Sequence, residues 1–277
     1  LPAYLNTLSR EGGMDRGTFQ VVFDLSIIVG LFVIVIIYLN NTNDKTTFMA
    51  KIILVSVVVF LLVLQAINLA RSIRLRDPHL PLAVATDFPP AAFAGYYDQV
   101  IPWDFSAWPE LVSKLEIYAI TPFATTLFLD ADCLVVQSLE RVFAFFAGQE
   151  FAVFGRNEAD AIWFRSVAAV QAAVPSPTYP IFNGGLYYFT KSAQAEEVFQ
   201  RARRLFLAYD DLQLKRTRTN RENDEPLISL AMAQMGLKAM SEPGLDILQA
   251  PERPNYRIHI DVLASEARFV RRGRLVQ

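Results

Sequence analysis

The apolar residues are concentrated in two long runs near the start of the chain. The first extends from Phe19 to Leu39 and contains Asp24 as its only charged residue. A run of this length can cross a bilayer as a helix, and it is too long for the apolar part of a secretory signal peptide. We therefore predict a membrane-spanning helix at residues 19–39, with a buried core strand or helix as the alternative.

The second run, from Ile52 to Ala70, changes its pattern partway. Residues 52–59 are crowded with β-branched side chains, which favours a buried strand. Residues 61–76 instead place apolar side chains on one helical face and polar side chains off it. The apolar positions are Val63, Ala66, Ile67, Ala70 and Ile73, and the polar ones are Gln65, Asn68, Ser72 and Arg76. We predict a strand and then a helix that ends at Asp77-Pro78, with a second membrane span as the alternative.

These runs divide the chain into regions. We expect residues 1–18 to form a polar tail, residues 40–50 a linker and residues 51–277 a folded domain. Lys and Arg residues lie on both sides of the span at 19–39. The positive-inside rule therefore gives no orientation, and the prediction is a single-pass membrane protein whose side of the membrane is open.

Shorter segments of alternating type follow. The pattern predicts helices at 109–120, 139–146, 193–209 and 226–235, and strands at 80–86, 127–129 and 151–154, with a turn leading into a strand at 182–189. Residues 156–180 look irregular apart from a helical patch at 166–173. Strand, helix and strand in the order 52–59, 61–76 and 80–86 predict a right-handed parallel crossover.

Composition narrows the possible partners. Apolar residues make up 53% of the chain and charged residues 19%, and the net charge of −2 gives no general case for nucleic acid. One loop is locally basic, with Lys215, Arg216, Arg218 and Arg221. It is either a solvated face or a surface for phosphates or anionic lipid. Cys133 is the only cysteine, so no intrachain disulfide can form.

Two carboxylates, Asp130 and Asp132, directly follow the apolar segment 127–129. Residues two apart on an extended chain point to the same side, so both should converge where α/β sheets usually bind ligands. Close carboxylates repel each other and favour a cation between them. Mg²⁺ or Mn²⁺ would fit, with phosphate oxygens completing its shell. The plainer alternative is a pair of solvated residues at a strand end.

Two further motifs are candidates for a site. In Asn183-Gly184-Gly185, adjacent glycines let the backbone approach a ligand closely or adopt a positive φ, although Asn-Gly also marks plain hairpin turns. Asp224 precedes Pro226 at the predicted start of a helix, where it either faces a site or caps the helix.

In this order, the segments resemble the glycosyltransferases of family eight and their relatives, which have the A-type nucleotide-sugar fold. The stretches that carry the resemblance are Ala70-Arg71-Ser72-Ile73-Arg74, residues 82–87, Lys114-Leu115-Glu116-Ile117-Tyr118 with Thr121-Pro122-Phe123, residues 127–132, Phe182-Asn183-Gly184-Gly185 and Asn223-Asp224-Glu225-Pro226-Leu227. The resemblance covers about residues 51–277, and several motifs in one order are more specific than any single motif.

The resemblance implies a mixed, mostly parallel sheet flanked by helices, a Rossmann-like α/β fold, behind an N-terminal apolar helix. It implies that a sugar is transferred, with retention of its anomeric configuration, from a nucleotide-sugar donor to an unknown acceptor. A UDP-sugar is the first expectation for the donor. Asp130 and Asp132 would bind Mn²⁺ or Mg²⁺, and the donor would be held by Lys114, Asp130, Ala131 and Asp132. The acceptor would be bound by Asn183, Gly184, Gly185 and Glu225, with Asp224 and Asn183 as catalytic residues.

Three features depart from the family's pattern. Residues 57–60 stand where the family has a turn that usually contains Gly, near the nucleotide. Glu225 stands where the family usually has Gln. The family's third metal ligand is a His near the C-terminus, followed by Gly and Lys, and His259 does not match that motif. We therefore expect a truncated C-terminus and a weakened metal site.

Two other functions are alternatives. Phosphatases of the haloacid dehalogenase superfamily also carry DxD after an apolar strand, with the first Asp as nucleophile, and Asp210-Asp211 could serve as their later acidic motif. Their DxD lies on the first strand, however, and usually continues with Thr or Val, whereas Cys133 follows here. The other alternative is a membrane-tethered, non-catalytic relative of the glycosyltransferases.

Overall fold

The computed structural model describes residues 45–104, 108–109, 111–160, 163–217, 220–245, 259–271 and 274–276, with only the backbone at 45–59, 269–271 and 274–276. The predicted tail, the membrane-spanning helix at 19–39 and the first part of the linker lie outside these residues. The contacts divide the chain into two units. In the first, residues 1–54 and 252–255, only positions 45–54 are described. The second, residues 55–251 and 256–277, contains all the described strands.

The first described element is a long helix, α1, from Lys45 to Arg76. The predicted strand at 52–59 is therefore wrong, and so is the crossover built on it. Residues 45–50, which were expected to belong to a linker, are the first residues of this helix. The whole segment 45–76 contains neither Gly nor Pro, so no helix breaker interrupts it. At 32 residues it is also far longer than a usual strand. No helix in the described part of the chain is both long enough and apolar enough to cross a membrane.

The remaining helices agree with the predicted ones within a few residues. They are α2 (Ile117–Ile120), α3 (Glu140–Phe145), α4 (Val167–Ala173), α5 (Ala193–Phe206) and α6 (Asp224–Gln234), with 3₁₀ helices at Pro90–Phe93 and Val112–Glu116. The helix predicted at 109–120 is thus a 3₁₀ turn that continues as α2. Ser166 and Ser192 cap α4 and α5, because each hydroxyl accepts a hydrogen bond from the backbone N–H three residues later.

The strands are short. They are β1 (Ala83–Thr86), β2 (Gln99–Pro102), β3 (Thr125–Leu129), β4 (Phe151–Ala152), β5 (Gly155–Glu158), β6 (Tyr179–Phe182), β7 (Leu186–Thr190), β8 (His259–Asp261), β9 (Glu266–Arg271) and β10 (Arg274–Val276). Among the described strands, β1 and β2 pair in parallel. The other pairs are antiparallel, with β7 between β3 and β4, β9 between β8 and β10, and β5 beside β6.

The described part is therefore a mixed α/β structure in which helices flank small sheets. The α/β class is confirmed, and a mostly parallel sheet is wrong for the described strands. The direction of a strand depends on its partner, which is often distant in the sequence and leaves no local pattern. The β3–β7 pair is of this kind, since its strands lie more than fifty residues apart.

Strands β5 and β6 occupy part of the stretch predicted to be irregular. The polar residues Arg156, Asn157 and Glu158 of β5 lack the apolar alternation of a half-buried strand, and Pro180 within β6 argues against a strand. The two strands approach closely at Gly155, where an added Cβ would lie 2.1 Å from the carbonyl oxygen of Ile181. The glycine was the available signal, since a glycine within a strand often marks close backbone approach.

Strand β7 lies at the centre of the core. Its residues 186–189 are all buried, and they alternate between two apolar clusters. Tyr187 and Phe189 pack in a cluster with buried residues of α5 and α6, whereas Leu186 and Tyr188 pack with those of α1 and α3. The predicted turn at 182–185 leads directly into this strand, so its residues are held against the core.

Two polar residues at the end of α1 bind the segment that follows Asp132. Ser72, which was predicted to lie off the apolar face, is buried, and its hydroxyl accepts a hydrogen bond from the Val135 amide at 3.0 Å. Asp77 is also buried, and it accepts hydrogen bonds from the Ser138 hydroxyl at 2.5 Å and the Leu139 amide at 2.8 Å. These contacts fix the conformation of residues 135–139.

Candidate functional site

The antiparallel pairing of β3 with β7 brings two predicted motifs together. Leu129, the last residue of β3, pairs with Leu186, the first of β7. The next residue, Asp130, donates a backbone hydrogen bond to the Gly185 carbonyl at 3.0 Å. The first aspartate of the DxD motif is therefore adjacent to the Asn-Gly-Gly turn, as the site prediction requires.

Lys114 connects these motifs from a third segment, the 3₁₀ helix Val112–Glu116. Its ammonium group donates to the Asp130 carboxylate at 2.8 Å and to the Gly184 carbonyl at 3.1 Å. The Lys114 side chain is 16% exposed and that of Asp130 is 30% exposed. The alternative of a solvated lysine is therefore wrong, because Lys114 is held in a largely buried ion pair.

Asp224 comes from a fourth segment, the start of α6. The helix cap is Asn223, whose side chain accepts from the Glu225 amide, so the alternative of Asp224 as the cap is wrong. The carboxylate of Asp224 instead lies in the interior, where the residue is 1% exposed. There it accepts a hydrogen bond of 2.5 Å from the phenol of Tyr187.

Gly184 lies where these groups meet. Its amide donates to Glu225 at 2.7 Å. A Cβ added at Gly184 would lie 2.9 Å from Cγ of Glu225, 2.9 Å from the phenol oxygen of Tyr187 and 3.0 Å from Oδ2 of Asp224. Every larger residue at position 184 would therefore collide with these three side chains. A glycine is required here because they pack directly against the backbone.

Asn183 and Gly185 have a local role in the structure. The side-chain oxygen of Asn183 accepts a hydrogen bond of 2.8 Å from the Gly185 amide, an arrangement typical of turns that begin with Asn. The second oxygen of Glu225 accepts from the Asn223 side chain at 2.9 Å. These bonds support the turn and the helix start, and the acceptor-binding role of the residues stays a prediction.

The site thus has two halves, which we name by their solvent exposure. The buried half comprises Gly184, Tyr187 and Asp224, all of which are buried. The exposed half comprises Asp130, Ala131 and Asp132, of which Asp130 is partly buried and the other two are exposed. Lys114 contacts both the Gly184 carbonyl and the Asp130 carboxylate, so it joins the two halves.

The electrostatics follow from this crowding of carboxylates around one lysine. Burial lowers the pKa of Lys114, but the negative charges of Asp224, Asp130 and Glu225 outweigh it, so the net pKa is raised. Burial raises the pKa of Asp130, Lys114 opposes that change, and Asp132 and Asp224 add to it. Burial also raises the pKa of Asp224, while Lys114 and Tyr187 oppose the change. The site carries more negative than positive charge and favours an added cation.

The residues fit a metal ion only in part. In the described residues, no three or more His, Cys, Asp and Glu side chains are grouped to hold a metal, and one of the two candidate ligands, Asp130, is paired with Lys114. Two carboxylates with substrate phosphates are, however, a usual environment for Mg²⁺. By this donor chemistry Asp130 and Asp132 would suit a metal shared with a phosphate group, whereas the described residues form no metal cage of protein ligands alone.

Tyr187 is the site residue that the sequence prediction missed. It occurs in an apolar strand pattern and was counted only as part of that strand. The available signal was its phenol, because a buried tyrosine usually finds a hydrogen-bond partner. Its ring stacks on Phe128 with centroids 5.9 Å apart, and the ammonium of Lys114 lies 5.8 Å from the Phe128 ring centroid.

The basic loop uses at least one of its charges internally. Arg216 donates to the carboxylate of Asp210 at 2.9 and 3.0 Å and also pairs with Glu222. Its guanidinium lies 5.6 Å from the Tyr209 ring centroid. Arg218 lies outside the described residues. At Arg216 the contacts favour a loop held by its own ion pairs over a surface for phosphates or lipid.

Comparison of the sequence with protein-family models and with curated proteins finds no match. The function is therefore inferred from the residues of the site and their geometry.

Proposed function

We propose that the protein is a glycosyltransferase that moves a sugar from a nucleotide-sugar donor, a UDP-sugar, to an acceptor. The observation that carries the proposal is that Lys114, Asp130, Gly184 and Asp224 come together from four separate segments. Residues that serve only as surface turns and helix caps have no reason to converge in this way. The finer fold that we propose, a Rossmann-like nucleotide-sugar transferase domain, rests on the resemblance of the motifs, because among the described strands only β1 and β2 pair in parallel.

The exposed half would receive the diphosphate of the donor. Asp130 and Asp132 would hold Mn²⁺ or Mg²⁺, which supplies positive charge to the diphosphate as it leaves the sugar. Lys114 would add a fixed positive charge on the same side, because its pair with Asp130 holds the ammonium in place. Ala131 lies between the two aspartates and would contact the donor through its backbone.

The buried half would lie at the sugar end of the donor. Asp224 would orient the sugar or the acceptor, and the turn Asn183-Gly184-Gly185, with Glu225 bound to its backbone, would shape the pocket beside it. Transfer with retention requires no strong general base, so the buried carboxylate of Asp224 is assigned an orienting role. Asn183 would act through the turn whose conformation its side chain stabilises.

The phosphatase alternative has less support from the geometry. Its nucleophile would be Asp130, whose ion pair with Lys114 is as compatible with that role as with metal binding. Asp210, from its proposed second acidic motif, pairs with Arg216. The non-catalytic relative is favoured by one observation, namely that the described residues form no metal site of three or more ligands.

A metal-dependent binding experiment tests the proposal. UDP is titrated into the wild type, Asp132→Asn and the control Asp160→Asn, with and without Mn²⁺. Removing one carboxylate from the ion's surroundings weakens the binding of metal and diphosphate together. We therefore expect Asp132→Asn to lose about tenfold in UDP affinity, or about 1.4 kcal/mol, when Mn²⁺ is present, and to lose nothing when it is absent. Asp160→Asn removes an exposed charge of the same kind and should bind as the wild type does. Equal affinities in all three proteins would contradict the proposal.

The products separate the three functions. Release of UDP from a UDP-sugar, dependent on Mn²⁺, is expected for a transferase, with water or a sugar as acceptor. Nucleotide binding without release indicates the non-catalytic relative. Release of phosphate from a simple phosphate ester, abolished by Asp130→Asn, indicates the phosphatase.

The membrane anchor is a separate proposal, motivated by the apolar run at 19–39. Deletion of residues 1–43 should move the protein from the membrane fraction to the soluble fraction. If the full chain is soluble without detergent, the anchor does not exist.

A further inference from the structure

The phenol of Tyr187 is placed where it can hold Asp224 in one position. Tyr187 is 0% exposed and Asp224 is 1% exposed, so water does not satisfy the carboxylate, and a buried charge needs hydrogen bonds from the protein. The Tyr187 hydroxyl donates such a bond at 2.5 Å. It joins strand β7 directly to the first residue of α6.

The ring of Tyr187 is itself fixed by its neighbours. Its centroid lies 5.9 Å from that of Phe128, 6.3 Å from that of Phe151 and 5.9 Å from that of Phe182. Closely packed aromatic neighbours of this kind leave a buried ring little freedom to turn. The hydroxyl therefore has a defined position, and so does the carboxylate that it binds.

The same contact is tied to both halves of the site. Phe128 pairs directly with Tyr187 between β3 and β7 and lies two residues before Asp130. On the other side, Gly184 packs against the Tyr187 hydroxyl and Asp224, because an added Cβ would lie 2.9 Å from the phenol oxygen and 3.0 Å from the carboxylate. A shift of the phenol would therefore change the space at the Asn-Gly-Gly turn as well as the position of Asp224.

We propose that Tyr187 is a positioning residue that determines affinity for the sugar of the donor by holding Asp224. This inference deepens the proposed function and rests on it. The ligand portion concerned is the hydroxyl-bearing sugar assigned to this half of the site. Because Asp224 is enclosed by protein, the contact acts on the sugar through the turn at Gly184, which lies against both Tyr187 and Asp224. The nucleotide portion, assigned to the exposed half, does not depend on this contact.

The test compares Tyr187→Phe with a matched control, Tyr179→Phe. Tyr179 is also 0% exposed, belongs to the same apolar cluster, and donates its phenol hydrogen bond at 2.8 Å to the carbonyl of Val174. Each variant keeps its ring and loses one buried hydrogen bond, so both should fold. Tyr187→Phe should lower the midpoint of thermal unfolding more than Tyr179→Phe, because its lost bond is to a carboxylate rather than to a carbonyl.

The measured quantities are the affinities for UDP, UDP-glucose and UDP-galactose in Mn²⁺. In Tyr187→Phe we expect unchanged affinity for UDP and about a tenfold loss of the additional affinity that the preferred sugar supplies, because Asp224 and the turn beside it are no longer held in one arrangement before binding. Tyr179→Phe should retain the wild-type ratio of UDP-sugar affinity to UDP affinity. In an Asp224→Ala background, Tyr187→Phe should change the ratio no further, because the two residues act through one contact.

The outcomes distinguish this inference from the proposed function. If the wild type binds none of the three nucleotides, the proposed function fails and the inference fails with it. If the wild type binds UDP but gains nothing from either sugar, or if both variants show the same ratio as the wild type, only the inference is overturned. Equal losses for UDP and UDP-sugar in Tyr187→Phe would also overturn it, since they indicate a structural role alone.

Discussion

The two halves of the site place the same chemical group, a carboxylate, in opposite surroundings. Asp224 is 1% exposed and is bonded to Tyr187, whereas Asp132 is exposed and Asp130 is 30% exposed beside Lys114. A carboxylate enclosed by protein must be satisfied by protein groups, so its position is already determined. Asp132, in water, keeps its freedom to turn toward a ligand, whereas Asp130 is held by its ion pair with Lys114.

The comparison shows that the DxD motif, the more conspicuous feature of the sequence, is the less constrained part of the site. The contacts that define the buried half come instead from a glycine, a tyrosine and the first residue of a helix. In the proposed function, the charged diphosphate of the donor would bind to the exposed half, where Asp132 can change its orientation. The sugar would bind beside the buried half, whose side chains are fixed. Four changes test this contrast.

The largest effect is expected for Lys114→Met, which removes the cation that joins the halves. Breaking a buried ion pair costs roughly 3–5 kcal/mol, and partial exposure of Asp130 should reduce this to about 3 kcal/mol of unfolding free energy, measured by urea denaturation. Diphosphate affinity should fall as well. Lys191→Met is the control, because Lys191 is exposed and should lose less than about 1 kcal/mol. Similar losses in both variants would mean that Lys114 is no more constrained than a surface lysine.

The next effect concerns the buried half alone. Gly184→Ala places a methyl group within about 3.0 Å of Glu225, Tyr187 and Asp224, and overpacking of this kind costs about 1–3 kcal/mol. Its matched control is Gly148→Ala, where an added Cβ meets nothing within 4 Å and only the positive φ of 85° is strained. We expect Gly184→Ala to weaken UDP-sugar binding and Gly148→Ala to leave it unchanged. Unchanged UDP-sugar affinity in Gly184→Ala would show that the turn can move away freely.

A smaller effect is expected in the pH dependence of stability. Burial raises the pKa of Asp224, so the folded state holds this proton more tightly than the unfolded state does. Its contribution is therefore fully present below the ordinary aspartate pKa, about 4, and is lost as pH rises through the folded pKa. Asp224→Asn cannot titrate and still accepts the Tyr187 hydrogen bond. From acid to neutral pH the wild type should therefore lose stability relative to this variant, as measured by urea denaturation at each pH. If the wild type instead gains stability relative to Asp224→Asn as the pH rises, the pKa of Asp224 is lowered by folding and the prediction is wrong.

The smallest effect on stability is expected in the exposed half. Asp132→Asn should change the unfolding free energy by no more than about 0.5 kcal/mol, as is usual for surface positions, although it weakens UDP binding in Mn²⁺. Thermal unfolding without ligand measures the first quantity. A loss of 2 kcal/mol or more, on the order of a core substitution, would mean that Asp132 has a structural partner and that the two halves do not differ as described.

Several features of the site could be predicted from sequence because their signals are local. A short apolar segment followed by DxD, and a turn that contains two glycines, are visible without a structure. The expectation that Lys114 and Asp224 would meet Asp130 came instead from the resemblance of the ordered motifs to a known family. Tyr187 could not be found in this way, because its partner is in another element and a buried strand pattern accepts Tyr as readily as Phe.

The errors in the fold have a similar cause. β-Branched residues at 52–59 indicated a strand. They continue into the amphipathic segment 61–76 without a helix breaker, and the whole of Lys45–Arg76 is one helix. The pairing direction of β3 depends on β7, which lies far along the chain. Strand β5 lacks apolar alternation because polar residues make up most of it. Local propensity predicted elements well where a cap or a breaker marked their ends.

The end of α1 offers a way to observe the segment after Asp132 without any ligand. The amides of Val135 and Leu139 are bonded to Ser72 and Asp77, so their hydrogens exchange with solvent only when these contacts open. Exchange at the two positions, followed by NMR or mass spectrometry, therefore reports whether the final turn of α1 is in place. A protein shortened or altered in this helix could retain its secondary structure and still reveal, through faster exchange at Val135 and Leu139, that the segment beyond the DxD motif has lost its support.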